Sequence, residues 1–365
     1  MIWFLLVITL LAIAVFLFLQ QPKFGKQPTG KRLELIKKSP NYRNGQFQNL
    51  SHTPNFAEDV TFFRALQQFL FSDKPRNKPV DSLLSTKTNL LQLHPSKNIL
   101  VWFGHSSYFM QIDGKKILVD PVFSGVASPV SFTTRAFKGT DRYTVEDMPE
   151  IDYLLISHDH WDHLDYETIK KIRPKIKKVI TGLGTGEHLE YWKYNPSIII
   201  EKDWNETINL DSGFVAYTVP ARHFSGRSFA RNKTLWTSWV LQTPSMKIYI
   251  GGDSGYDTHF AQIGRKYGPI DLAILENGQY NRNWKYIHMM PGEILKAAND
   301  LRAKAVLPVH SGKFALALHP WDEPLKNVVG QFKNSPVKLV TPLIGEEVRL
   351  NDSTQLFTEW WKGLN

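Results

Sequence analysis

The first pattern along the chain is an unbroken apolar run, Ile2–Leu19, interrupted only by Thr9 and carrying no charge. As a helix rising about 1.5 Å per residue it reaches roughly 27 Å, close to the hydrocarbon thickness of a bilayer. No Lys or Arg precedes the run, and Gln20, Gln21 and Pro22 follow where signal cleavage needs small residues. Residues 1–20 therefore read as an uncleaved transmembrane anchor rather than a signal peptide. Lys23, Lys26, Lys31, Arg32, Lys37 and Lys38 come next, so the positive-inside rule places the following domain in the cytoplasm. Residues 21–97 read as a basic linker and N-terminal extension, irregular and turn-rich, with one amphipathic helix expected near Ala57–Phe71.

The pattern becomes regular over residues 98–365, the expected catalytic domain. Short β-type runs are expected at Ile99–Phe103, Tyr108–Ile112 and Lys116–Asp120, with Asp113-Gly114 as a hairpin turn. Further strands are expected at Tyr153–Ser157, Lys178–Thr181, Phe214–Val219, Leu235–Gln242, Lys247–Gly251, Leu272–Leu275 and Ala305–Val309. Helical spacing falls near Tyr166–Ile172, Gly186–Trp192, Thr258–Tyr267 and Pro291–Leu301. Strands interleaved with helices after opening hairpins predict a layered α/β (α+β) domain.

Composition narrows the chemistry. The chain has no cysteine, so disulfides, iron–sulfur clusters and thiolate metal ligands are excluded, and any metal must be held by His and carboxylate. A net charge of +10 favours anionic partners, a lipid surface or nucleic acid.

The decisive stretch is Ser157-His158-Asp159-His160-Trp161-Asp162-His163-Leu164-Asp165, which follows the apolar run Tyr153–Ile156. His158 and His160 are two apart, so an extended backbone sends both rings to one face; Asp162 and His163 follow after a turn and can serve a second position. Such donors suit Zn²⁺, while Fe and Mn accept similar sets. One loop cannot complete two metal sites, and three later strand ends offer donors: His223, His310, and Asp253 between flanking glycines, whose carboxylate can bridge two ions. Asp120 and Asp165 are candidates to orient ligand imidazoles, each equally readable as a turn or helix-start residue; His105 reads as a support of the ligands or, with better odds, as only packed.

These residues bring a family into view. The stretch from about Asn98 to Leu325 resembles the metallo-β-lactamase superfamily, within it the branch of N-acyl-phosphatidylethanolamine-hydrolysing phospholipase D. The likeness rests on Trp102–Ser107, Leu118–Ser124, the His-rich loop, Gly252–Tyr256, Trp284–His288 with Pro291 and Glu293 downstream, and His310–Ala317. It implies a four-layer αββα sandwich, with His158, His160 and His223 on one zinc, Asp162, His163 and His310 on the other, and Asp253 as the bridge. It also implies a hydrophobic channel for an acyl chain, with His288 near the substrate. Two departures stand where substrate is sensed: Met290 replaces an acidic residue, and the segment before His288 reads Glu276–Asn283.

The expected protein is then a membrane-associated binuclear zinc hydrolase that cleaves a phospholipid as a phospholipase D does, with Asp162 and Asp253 as ligands that also take up the proton from water. Competing readings are a hydrolase of soluble lactones or phosphodiesters and a non-catalytic tethered binding protein. Nucleic acid is not expected as partner, since no added binding domain is visible after Leu325.

Overall fold

The computed structural model describes residues 1–365 except Asn55 and Ser212, and the backbone alone at Phe62 and Phe69. Helix α1 (Ile2–Leu19) coincides with the apolar run and buries none of its side chains. Helix α2 (Gly30–Ile36), the hairpin β1 (Tyr42–Arg43) and β2 (Gln46–Phe47), and helix α3 (Phe62–Phe71) follow. Helix α3 begins later than the expected Ala57 because Thr61 caps it, its hydroxyl accepting the Arg64 N–H.

Beyond residue 98 the chain builds two sheets. The first takes β3 (Ile99–Trp102), β4 (Tyr108–Ile112), β5 (Lys115–Val119), β6 (Ile151–Ile156), β7 (Ile176–Gly182) and β8 (Ile199–Lys202). The second takes β9 (Thr207–Asn209), β10 (Val215–Val219), β11 (Ser238–Gln242), β12 (Lys247–Ile250), β13 (Ile270–Glu276), β14 (Ala303–Val309) and β15 (Lys338–Leu339). The last strand, β16 (Glu347–Arg349), returns to the first sheet beside β3. The resulting orders are β16-β3-β4-β5-β6-β7-β8 and β15-β14-β13-β12-β11-β10-β9. Each sheet is antiparallel on one side and parallel on the other.

Side-chain alternation decides the layers. In β6, Tyr153 and Leu155 face the second sheet, packing with Trp239, Leu241, Ile248 and Ile250. Leu154 and Ile156 face the other way, against helices α4 (Tyr166–Ile172) and α5 (Gly186–Tyr191) through Ile169, Ile172 and Leu189. The outer face of the second sheet is covered by α6 (His259–Tyr267), α7 (Glu293–Asp300) and α8 (Glu323–Phe332), through Phe260, Ile263, Ala297 and Val328. The architecture is the four-layer αββα sandwich of the metallo-β-lactamase fold, with Trp360 and Trp361 filling the inter-sheet core near the C-terminus.

Strands β3, β5 and β6 run parallel to one another, as do β10, β12, β13 and β14. The loops after them meet at one edge of the sandwich, which gathers residues far apart in sequence into one place.

Candidate metal centre

The loop after β6 turns back at once, because Leu164 and His163 donate backbone N–H to the His160 carbonyl at 2.8 and 3.2 Å. That turn folds Asp162 and His163 beside His158 and His160. His160 Nδ1 lies 2.9 Å from His158 Nε2 and 3.2 Å from Nε2 of His223, which arrives from the end of β10. A second group forms around His163 Nε2, 3.4 Å from Asp162 Oδ2 and 3.2 Å from Asp253 Oδ1. His310, from the end of β14, brings Nδ1 to 3.2 Å from the same Asp253 oxygen. The other oxygen of Asp253 faces the first group, 3.9 Å from His158 Nε2 and 3.7 Å from His223 Nε2. Asp253 thus stands between the two groups with one oxygen toward each. Gly252 permits this approach, since a Cβ there would sit 2.8 Å from Cβ of Ser157 and 2.9 Å from the Thr237 carbonyl oxygen.

Outer contacts fix each ring. Asp120 accepts from His163 Nδ1 at 2.8 Å and from the Ser157 N–H and hydroxyl, so its orienting role is visible in the geometry. His223 gives Nδ1 to the Ile287 carbonyl, and its backbone N–H and C=O both pair with the amide of Asn49. Asp165 does not reach an imidazole: it caps α4, accepting from Glu167 N–H and the Thr168 hydroxyl. His105 takes the supporting one of its two readings, for its Nε2 lies 2.8 Å from Asp162 Oδ2 inside the donor cluster. His105, Asp120 and His310 all hold positive φ (53°, 40° and 67°), backbone strain concentrated around this centre.

The charges fit a cation. Burial drives His158, His223 and His310 well below their ordinary pKa, so their rings are neutral with lone pairs available. Burial opposes charge on Asp162 and Asp253 as well, but His163 and its neighbouring imidazoles outweigh it and hold both carboxyls well below their usual range. Among the described residues neither carboxylate forms an ion pair with Lys or Arg, and His163 Nε2 and Asp253 Oδ1 are buried without a hydrogen-bond partner. Buried anions, neutral imidazoles and orphaned donor atoms aimed at common points are what a binuclear metal site requires.

A cavity of about 240 Å³ opens on the donors. Its walls include Phe56, Phe224, Trp284, Ile287 and Leu316, with Arg231 at one side. His288 lines it too, its ring centroid 5.0 Å from that of His223. Nδ1 of His288 pairs with Glu276 Oε2 at 2.7 Å, and the other Glu276 oxygen accepts the Met289 N–H. Burial pushes the Glu276 carboxyl up to about 7. Burial also works against charge on His288, but Glu276 outweighs it and raises the imidazole. Glu276 and Asn49 had no local sequence signature as site residues, because each acts through a partner distant in the chain.

The segment just after α1 is stitched to the metal loop. Buried Phe24 packs edge-on against Trp161 with centroids 5.2 Å apart. The buried Arg227 guanidinium lies 4.0 Å over the same Trp161 ring and donates to the carbonyls of Lys23, Asp159 and Leu164. Lys26 N–H donates to Nδ1 of His188, which leaves His188 Nε2–H for Asp159. Gly25 has φ 73°, and a Cβ there would lie 2.0 Å from His188 Nδ1. Gly25→Ala is expected to lower stability by about 2–4 kcal/mol, through positive φ and the clash together. Thermal unfolding of the full chain checks this; an unchanged midpoint would mean that the segment does not bear on the loop.

Comparison with known proteins agrees with this geometry. Residues 115–311 match the beta-lactamase superfamily domain. An uncharacterized protein of Mycobacterium tuberculosis is 36% identical over 328 residues, 89% of this chain and 88% of that protein. N-acyl-phosphatidylethanolamine-hydrolyzing phospholipase D 1 of Caenorhabditis elegans is 32% identical over 237 residues, 59% of this chain and 64% of that protein. The solved structure of Igni18, a metallo hydrolase of Ignicoccus hospitalis, superposes with a TM-score of 0.53 at 21% identity, covering 69% of this chain and 98% of Igni18. With the domain match, the sandwich and the clustered His and Asp donors in agreement, the chain belongs to the metallo-β-lactamase superfamily as a metal-dependent hydrolase.

Proposed function

We propose that the chain is a membrane-anchored phosphodiesterase of the phospholipase D type, holding two zinc ions and cleaving N-acyl-phosphatidylethanolamine or a related phospholipid. The observation that carries this reading is the cavity itself, where metal donors form the floor and Phe56, Phe224, Trp284, Ile287 and Leu316 line the sides. A scissile phosphate at the floor would leave an acyl chain against those apolar walls. The likeness to the nematode enzyme over 237 residues supports the substrate class. The apolar helix Ile2–Leu19, long enough to span a bilayer, supports the membrane setting.

In this reading His158, His160 and His223 would hold one ion and Asp162, His163 and His310 the other, with Asp253 available to both. Bound there, the ions supply Lewis acidity and a water activated near neutral pH. Asp162 and Asp253, held ionised, are placed to take the proton that water loses. His288, with Nδ1 occupied by Glu276, presents Nε2 to the phosphoryl or leaving oxygen. Arg231 adds a cation to the wall, and among the described residues its guanidinium has no carboxylate partner.

The test is turnover of N-acyl-phosphatidylethanolamine in vesicles against bis(p-nitrophenyl) phosphate in solution, with products read by mass spectrometry. The expected result is phosphatidic acid and N-acylethanolamine from the vesicles. Cleavage of soluble diesters alone would remove the lipid substrate and leave a soluble-substrate hydrolase.

A further inference from the structure

Two loops tie themselves to the junction between α1 and the domain, and each presents a bare aromatic ring at its tip. The first spans Ser124–Lys138 and folds as a small hairpin, with Ala127 N–H donating to the Thr134 carbonyl at 3.0 Å and a bridge between Val126 and Arg135. Lys23 reaches it, Nζ donating to the Pro129 carbonyl at 2.6 Å. Three residues on, at the hairpin tip, Phe132 is 79% exposed. The second spans Arg222–Lys233 and is pinned by Asn232 N–H to the Ser225 carbonyl at 3.0 Å. Its Arg227 holds the Lys23 carbonyl through Nε and Nη2 at 3.0 and 2.8 Å. Two residues on, Phe229 is 84% exposed.

Lys23 lies four residues after the last residue of α1 and touches both loops, so both tips are held close to where α1 ends. One exposed phenylalanine is ordinary on a protein surface, but two on separate loops tied to the same junction offer a shared apolar contact there. Charge identifies the partner. Residues 20–33, 124–138 and 222–233 contain no Asp or Glu, while Lys23, Arg135, Lys138, Arg231 and Lys233 supply positive charge; Lys26 is paired with Glu187. Aromatic rings ringed by Lys and Arg beside an apolar span match the headgroup region of an anionic bilayer.

We propose that Phe132 and Phe229 insert into the bilayer interface beside α1, so that three contacts rather than one tether orient the catalytic domain. The inference rests on the reading of Ile2–Leu19 as a membrane span. Its consequence lies in the second loop, which also carries Phe224 and Arg231 in the wall of the metal cavity. Insertion of Phe229 seats that wall at the lipid surface, so that a phospholipid meets the cavity without crossing open water.

The chain has no cysteine, so single ones can be placed at will. Phe132→Cys and Phe229→Cys in the full chain carry a bimane label, with Asn351→Cys as reference. Asn351 follows β16 and is next to Leu350, whose N–H donates to the Asn98 carbonyl at the start of β3, the end of the sheets away from the metal edge. In vesicles of phosphatidylcholine and phosphatidylglycerol, labels at 132 and 229 should lose fluorescence to nitroxide-bearing lipid and resist aqueous iodide. The label at 351 should show the reverse. Iodide quenching equal at all three positions would overturn the inference, whatever the substrate proves to be. As a second measurement, Phe132→Ser with Phe229→Ser should lower vesicle turnover while leaving a soluble diester unaffected; equal loss on both would also count against it.

Discussion

Asp253→Ala is expected to abolish turnover, by about 10³-fold or more, while leaving the protein folded. The two halves of that expectation have one cause. Asp253 is buried, and its Oδ1 has no hydrogen-bond partner among the described residues, so its removal orphans no donor through that oxygen. Among the described residues its charge is balanced by the surrounding imidazoles, His163 first, and not by Lys or Arg. Because its two oxygens face the two donor groups, the variant should retain no more than one of two metal ions. Metal content, thermal midpoint and kcat on one preparation check all three statements. Two ions per chain with turnover near that of the parent would show that Asp253 does not bridge.

Glu276→Gln is expected to reduce kcat by about 10²-fold and to move the alkaline limb of its pH profile to lower pH. The carboxylate is buried, 2.7 Å from His288 Nδ1, and favours the protonated imidazole. With a neutral amide the imidazole loses its proton at lower pH, so activity that needs the protonated ring fades earlier as pH rises. Gln keeps an oxygen for the Met289 N–H, which separates charge from packing. A fall in kcat at every pH with the limb unmoved would make Glu276 a structural residue only.

The sequence announced the strands whose faces alternate or are wholly apolar. Tyr108–Ile112 matched β4 and Tyr166–Ile172 matched α4 residue for residue, since buried strands and a capped helix carry their pattern locally. The edge strands β8, β9, β15 and β16 escaped, being two to four residues long, too short for a period to register. The donors were legible because metal chemistry restricts residue type and crowds three His into one loop. Among their supports Asp120 was legible and most others were not. Glu276, Asn49 and His105 are ordinary residues until the fold sets them against His288, His223 and Asp162. The docking of Phe24 and Gly25 on the metal loop was equally hidden, for a linker of Pro, Gly and Lys reads as solvated until its contacts are seen.

The most direct test of the central claim is diffraction from zinc-loaded crystals on both sides of the zinc absorption edge. Two anomalous peaks are expected, one among His158, His160 and His223, the other among Asp162, His163 and His310, with Asp253 reaching both. A single peak, or none within that cluster after loading, would contradict a binuclear centre.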